Sequence, residues 1–279
     1  MRDDLDTSAF GQHQPSPFME KVIGSTRKQG DSWIARRFAY ALRRIALRRL
    51  QGPVDTRAMG VNLRLYPFSN VCEKRILFTP QYFDTEERDL IASKCHDDFV
   101  FMDVGANIGG YALSIAAAAG PTARILAVEP QPEIFERLVY NIAQNPFGTV
   151  KAVACAVADH DGEMTLFLNW ENRGQASVKL MSDDVSATGL VKVPAMTLLT
   201  LAREERLTRI DAAKLDVEGA EDLILEPFLR DAPVSLWPRL LVIGNVASRW
   251  HRDIRAILIE KGYRQVLETK LNLAFEYVE

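Results

Sequence analysis

The sharpest pattern in the chain is an apolar run at residues 99–102 that stops at an acid, Asp103. Gly105, Gly109 and Gly110 follow, then an alanine-rich stretch at 111–119. This reads as a strand buried on both faces, a tight turn and a helix. Downstream the pattern alternates. Residues 124–128, 150–156, 213–217 and 240–243 are short apolar runs suited to parallel strands, the 150–156 run ending near Asp159. Residues 132–145, 198–205, 220–229 and 252–261 have helical spacing. Residues 164–169 read as an extra strand after the Asp161-Gly162 turn, and the polar stretch 175–189 as a loop over the site. Residues 263–268 and 273–278 read as a terminal hairpin. Strand–helix alternation implies a parallel sheet with crossover helices. Seven strands closing on a hairpin depart from a six-stranded dinucleotide domain.

Upstream of this core the pattern is weaker. Residues 1–30 are rich in Gly, Pro, Ser and Gln and are expected to be a disordered tail. Residues 32–50 are expected to form a helix ended by Gly52-Pro53. Its apolar face is Ile34, Phe38, Ala41, Leu42 and Ile45; Arg36, Arg37, Arg43, Arg44 and Arg48 gather opposite, and no acid occurs from Ser32 to Val54. Such a helix either packs its apolar face on the domain or makes peripheral contact with an anionic membrane or acidic partner. Residues 61–66 alternate as a strand, with 75–78 as its expected antiparallel partner. A helix capped by Asp84 or Thr85 should run to about residue 94. The chain thus divides into a tail (1–30), a basic helix with a small β/helical cover over the mouth of the core (31–97), and an α/β domain (98–279).

Composition narrows the class. With 279 residues and 47% hydrophobic content the chain can build a full core, and a net charge of −3 gives no field to recruit nucleic acid. Cys72, Cys95 and Cys155 are odd in number without metal-like spacing, which fits reduced thiols in a cytoplasmic protein. The chain has no apolar run of about 18 residues and no signal-peptide pattern at its start.

The acid before the first glycine suggests the ligand. A carboxylate there would repel a pyrophosphate, whereas it suits a ligand carrying ammonium and sulfonium charge, namely S-adenosylmethionine (SAM). Asp103 can pair with the ammonium. Gly105 and Gly109 allow close approach to the turn, and Asn107 either contacts the ligand's carboxylate or closes the turn. Glu129, 20 residues past Gly109 at a strand end, is placed to accept two ribose hydroxyls. Ala156, Val157 and Asp159 are candidates for the adenine slot. Group transfer from SAM to a nucleophile that must lose a proton as it attacks also calls for a base or a metal. Lys214, Asp216, Glu218 and Glu221 cluster at the end of the 213–217 strand and the start of the next helix. They could supply a base, hold a divalent cation, or merely cap the next helix and form an ion pair.

DVGANIG at 103–109, AVEP at 127–130, AVADHDG at 156–162 and KLDVEGAE at 214–221 resemble, in order, motifs of the FkbM family of SAM-dependent methyltransferases. The resemblance covers roughly residues 60–278. It implies a class I methyltransferase fold, α/β and Rossmann-like, with a seven-stranded, mostly parallel sheet whose last strand is antiparallel. It also implies SAM as cofactor, and O-methylation of hydroxyls on sugars, polyketides and related metabolites. Two positions depart from the family pattern: 198–201 reads Leu-Leu-Thr-Leu where an LD pair is common, and 243–245 reads Ile-Gly-Asn where a glutamate usually ends the strand. Both are expected on the substrate side. They leave open a SAM-binding protein that does not turn over; a nicotinamide oxidoreductase is the further alternative, disfavoured because the glycines do not fit GxGxxG.

Overall fold

The computed structural model describes residues 5–168, 176–177 and 189–278. The elements run α1 (Pro17–Arg27), α2 (Trp33–Leu47), β1 (Val54–Ala58), β2 (Val61–Leu65), α3 (Val71–Phe78) and α4 (Thr85–Ala92). The core follows with β3 (Val100–Val104), α5 (Gly110–Ala118), β4 (Arg124–Val128), α6 (Pro132–Ala143), β5 (Val150–Val153), β6 (Ala156–Ala158), β7 (Gly162–Leu168) and β8 (Ala176–Ser177). It closes with β9 (Gly189–Thr197), α7 (Leu198–Glu204), β10 (Ala212–Leu215), α8 (Glu221–Asp231), β11 (Leu240–Gly244), α9 (Ile254–Glu260), β12 (Tyr263–Glu268) and β13 (Asn272–Tyr277).

Seven of these strands form the expected sheet, in the order β12-β13-β11-β10-β3-β4-β5. Every neighbouring pair from β11 to β5 is parallel, and β13 alone runs against its neighbours. The strand order reverses between β3 and β10, the switch point where open α/β sheets bind ligands at the carboxyl ends of their strands. In register, Asp103 stands beside Lys214 on one side and Ala127 on the other. This brings together the carboxyl ends of β3, β4 and β10, as the sequence pattern requires.

Several expectations are corrected. Residues 150–156 are not one strand: β5 stops at Val153, and β6 leaves for a second sheet ordered β6-β9-β7-β8. Residues 75–78 are helical within α3, so the partner of β2 is β1. The stretch 17–27 is helix, with Met19 and Ile23 buried. What orders the chain before it is Arg64, whose buried guanidinium needs acceptors. It finds Asp55 at 2.7 Å and the carbonyls of Asp6, Ser8 and Ala9 at 2.7–3.0 Å. One hydrophobic core runs from Met19 and Leu63 through Phe101 and Ile108, so the N-terminal elements and the sheet share it. The buried Glu73–Arg137 pair, 2.7 Å apart, ties α3 to α6. Most of the expected 175–189 loop lies outside the described residues.

Helix α2 is also turned differently. The small face carrying Ala39 and Ala46 is buried, and Ile34, Phe38 and Ile45 are exposed. No helix among the described residues is long and apolar enough to cross a membrane.

Candidate active site

A cavity of about 630 Å³ opens at the switch point, a size that suits a small-molecule ligand. Asp103, Gly105, Asn107 and Glu129 line one side, Ala156, Val157 and Asp159 a second, and Lys214, Asp216 and Glu218 a third. Gly109 does not line it. Its φ is +92°, and a Cβ there would meet Leu138 Cδ1 at 2.9 Å, so its glycine serves helix packing.

The turn after β3 is built by backbone. Gly105 and Ala106 N–H both donate to the Val128 carbonyl at 2.9 Å, locking the loop to the end of β4. Gly105 has φ +78°, and a Cβ there would lie 2.3 Å from the Asp216 carbonyl oxygen. The close approach of the β3 and β10 loops therefore requires glycine. Asn107, at φ +52°, accepts from the Asn70 side chain at 2.8 Å, which joins the turn to the start of α3.

Two buried acids face this turn. Asp103 is 1% exposed; one oxygen accepts from Ala112 N–H at 2.9 Å and the other, Oδ1, has no hydrogen-bond partner. Burial pushes its carboxyl up to about 6 against the pull of Lys214. Glu129 accepts from Asn107 N–H and Gln131 N–H, both at 2.9 Å, one on each oxygen. Burial raises it to about 7. Each oxygen keeps a lone pair beyond its single backbone bond.

Lys214 is 3% exposed, its ammonium 3.3 Å from Asp216 Oδ2, 3.9 Å from Asp103 Oδ1 and 4.7 Å from the Tyr111 ring centroid. Burial opposes its charge, but Asp216 and Asp103 outweigh that and hold it protonated. Asp216 is open to the cavity, with a side chain 53% exposed. Glu218 is half-buried, at φ +58°, and its carboxylate is 3.2 Å from Arg249. Glu221 turns away to accept from Trp250 Nε1 at 2.9 Å and from the N–H groups of Val217 and Gly219. The four-residue cluster thus divides into a cavity-facing Lys214–Asp216 pair, a Glu218 on the cavity wall held by Arg249, and a structural Glu221. Among the described residues no group of three His, Cys, Asp or Glu is gathered to hold a metal ion. Asp159 pairs with His160 at 2.6 Å at the cavity wall.

Neither position that departs from the family pattern lines the cavity. Leu198 and Leu201 are buried in the core under α8. Asn245 is held by the terminal hairpin, donating to the Thr269 and Leu271 carbonyls at 3.0 and 2.7 Å. Both positions, expected on the substrate side, thus pack against protein rather than into this cavity. The cover instead supplies Asn70, Val71, Cys72, Arg75, Phe83 and Asp84 as one wall. Asn70 carries a helix-start signal in the sequence, with Glu73 three residues on. Tyr111, which packs on Lys214 and donates to Asp84 at 3.3 Å, carries none.

Residues 103–265 match the Methyltransferase FkbM domain. The chain is 30% identical over 219 residues to methyltransferase sdnD of Sordaria araneosa, an alignment covering 67% of this chain and 79% of that protein. It is 27% identical over 145 residues to hexuronic acid methyltransferase AglP of Haloferax volcanii, covering 49% of this chain and about half, 53%, of AglP. Among solved structures it is similar to M. jannaschii TYW2 in complex with AdoMet, at 13% identity and a TM-score of 0.43, with coverages of 82% and 90%.

Proposed function

The chain belongs to the FkbM family of SAM-dependent methyltransferases, and from that premise we propose that it methylates a hydroxyl on a sugar, polyketide or related small metabolite. The observation that carries the site assignment is the pair of buried acids at the carboxyl ends of adjacent strands. Asp103 Oδ1 is buried without a hydrogen-bond partner, and Glu129 keeps acceptor capacity on both oxygens. A buried acceptor without a donor is costly. A ligand bringing an ammonium to Asp103 and two ribose hydroxyls to Glu129 removes that cost. Ala156 and Val157 then offer the apolar slot that an adenine needs, with Asp159 at its edge.

SAM, when bound, supplies an electrophilic methyl on a good neutral leaving group, so alignment is the main demand on the protein. The remaining demand is the acceptor's proton. Asp216 is the most exposed carboxylate of the 214–221 cluster and takes that role here. Lys214 keeps its own proton and anchors Asp216 from below. Glu218, held by Arg249, shapes the rim. AglP's name supports a sugar-type acceptor, and the family resemblance supports O-methylation.

The non-catalytic reading drew on the departures at 198–201 and 243–245, and these lie outside the cavity. The test is turnover of SAM with a panel of sugars, uronic acids and polyketide alcohols. Production of S-adenosylhomocysteine with an O-methyl ether in the product supports the proposal. A methylated nitrogen or carbon overturns the hydroxyl reading, and SAM binding without turnover on any acceptor restores the non-catalytic one.

A further inference from the structure

Six of the fifteen large exposed apolar side chains among the described residues lie on the α1–α2 pair: Phe18, Trp33, Ile34, Phe38, Tyr40 and Ile45. Scattered exposed apolar residues are normal, but a contiguous set marks an interaction surface. Ile34, Phe38, Ala41 and Ile45 follow the spacing i, i+4, i+7, i+11, so they form one stripe along α2, about 16 Å long at 1.5 Å per residue. Ile34 is 73% exposed and Phe38 52% exposed. Not all the arginines lie opposite the apolar face as expected: Arg37, Arg44 and Arg48 repeat at i, i+7, i+11 and run beside the stripe, leaving Arg36 and Arg43 on the far side. The opposite face, with Ala39 and Ala46, is the one that packs inward.

The chemistry at the edges of the stripe matches an interface between oil and anions. Beyond the arginine row lie Trp33 and Tyr40, their rings 4.8 and 4.6 Å from the guanidinium carbons of Arg37 and Arg43. Aromatic rings beside cations are the groups that settle at headgroup depth. From Ser32 to Val54 the chain has no acid, although its net charge is −3, so the positive charge is concentrated on this helix. The helix is fixed to the body: Arg36 lies over Tyr82, 4.6 Å from the ring centroid, and the Tyr82 carbonyl accepts from Arg75 in the cavity wall.

We propose that α2 docks the protein, lying flat, on an anionic phospholipid surface, with Ile34, Phe38 and Ile45 entering the headgroup–acyl boundary and Arg37, Arg44 and Arg48 contacting lipid phosphates. The charge complementarity of a purely basic helix, together with its convex apolar stripe, selects a lipid surface over a grooved protein partner.

The test is cosedimentation of the full chain with vesicles of phosphatidylcholine and phosphatidylglycerol, against phosphatidylcholine alone, at low and high salt. Binding is expected only to the anionic vesicles and should weaken with salt. Each of Arg37→Gln, Arg44→Gln and Arg48→Gln should lower partitioning about fivefold. Ile34→Asp with Phe38→Asp should lower it roughly tenfold or more. These side chains are exposed, so thermal melting of every variant should match the parent. No binding to anionic vesicles at low salt overturns the proposal. So does binding that the Ile34→Asp, Phe38→Asp variant retains in full. Sedimentation equilibrium of the parent distinguishes the other occupant: a dimer abolished by the same double substitution, without vesicle binding, assigns the stripe to a second copy of the chain.

Discussion

Lys214 Nζ lies 3.9 Å from Asp103 Oδ1, across neighbouring strands in direct register, with both side chains almost fully buried. The pair joins the first and fourth strands of the parallel core under the cavity floor. Removing the lysine alone leaves a buried carboxyl with no countercharge, which typically costs about 3–5 kcal/mol. Lys214→Met should therefore destabilise the protein by that order in urea melts at pH 8. The deficit should shrink at pH 5. Asp103 titrates at about 6 in the folded parent, so below that it is largely protonated and no longer needs the lysine. An equal deficit at both pH values would show that the lysine acts through packing alone.

Glu129 and Asp103 set a pH window for ligand binding. Both are raised by burial, to about 7 and about 6. For an acid raised in this way, the stabilising contribution is complete below its unfolded value. It is lost as pH rises through the folded value. For Glu129, going from 4.5 to about 7, ionisation costs the unliganded protein about 3 kcal/mol. A cation with ribose hydroxyls stabilises the ionised forms instead. SAM affinity should thus rise from pH 5.5 to pH 7.5, with protons released on binding. Calorimetry in buffers of different ionisation enthalpy measures this. Proton uptake, or affinity that falls across that range, contradicts the assignment.

Gly105→Ala should be damaging out of proportion to one methyl. The added Cβ would sit 2.3 Å from the Asp216 carbonyl oxygen, at a backbone φ of +78°. The β3 and β10 loops must then separate or the backbone must change region, a strain of about 1–3 kcal/mol. Chemical denaturation should show a loss of that size, accompanied by weaker SAM binding. A variant with parental stability and affinity would mean that the loops do not need this approach.

Asp216 and Glu218 should behave differently in turnover. Asp216 faces the cavity, whereas Glu218 is engaged by Arg249. Asp216→Asn should cut kcat by about 10²–10⁴, the usual cost of losing a general base, with little change in SAM affinity. Glu218→Gln should have a smaller effect. Adding a chelator to the parent separates a direct base from a cation that lowers the hydroxyl pKa: unaffected turnover supports the base, and loss restored by magnesium supports the cation.

The parallel core was legible because its signals are local. Residues 99–110 pass from an apolar run to an acid and then glycines, and no competing element has that order. Glu129 ends one short apolar run and Lys214 lies inside another, and the same local pattern brings both to the cavity lining. The short run at 75–78 does not decide between strand and helix, because the three apolar residues 76–78 fit either; the Asn70 cap is the signal that decides it. Ser16 before Pro17 likewise announces α1, yet the polar composition around it suggested disorder. The ordering of residues 6–13 was not legible at all. It depends on the acceptors demanded by Arg64, some 50 residues away in sequence. The outward turn of the α2 stripe was hidden because amphipathicity names a face but not what covers it. Positions 198–201 and 243–245 were assigned to the substrate side by motif order. The structure puts the first under α8 and the second against the terminal hairpin.

On the reading proposed above, the cavity at the ends of β3, β4 and β10 binds SAM through Glu129. Calorimetric titration of the full chain with SAM, beside the Glu129→Ala variant, tests it most directly. The parent should bind, and the variant should bind about 1–3 kcal/mol more weakly, the cost of leaving buried polar groups unpaired. A parent that does not bind SAM, or a folded Glu129→Ala variant that binds it as tightly as the parent, would contradict it.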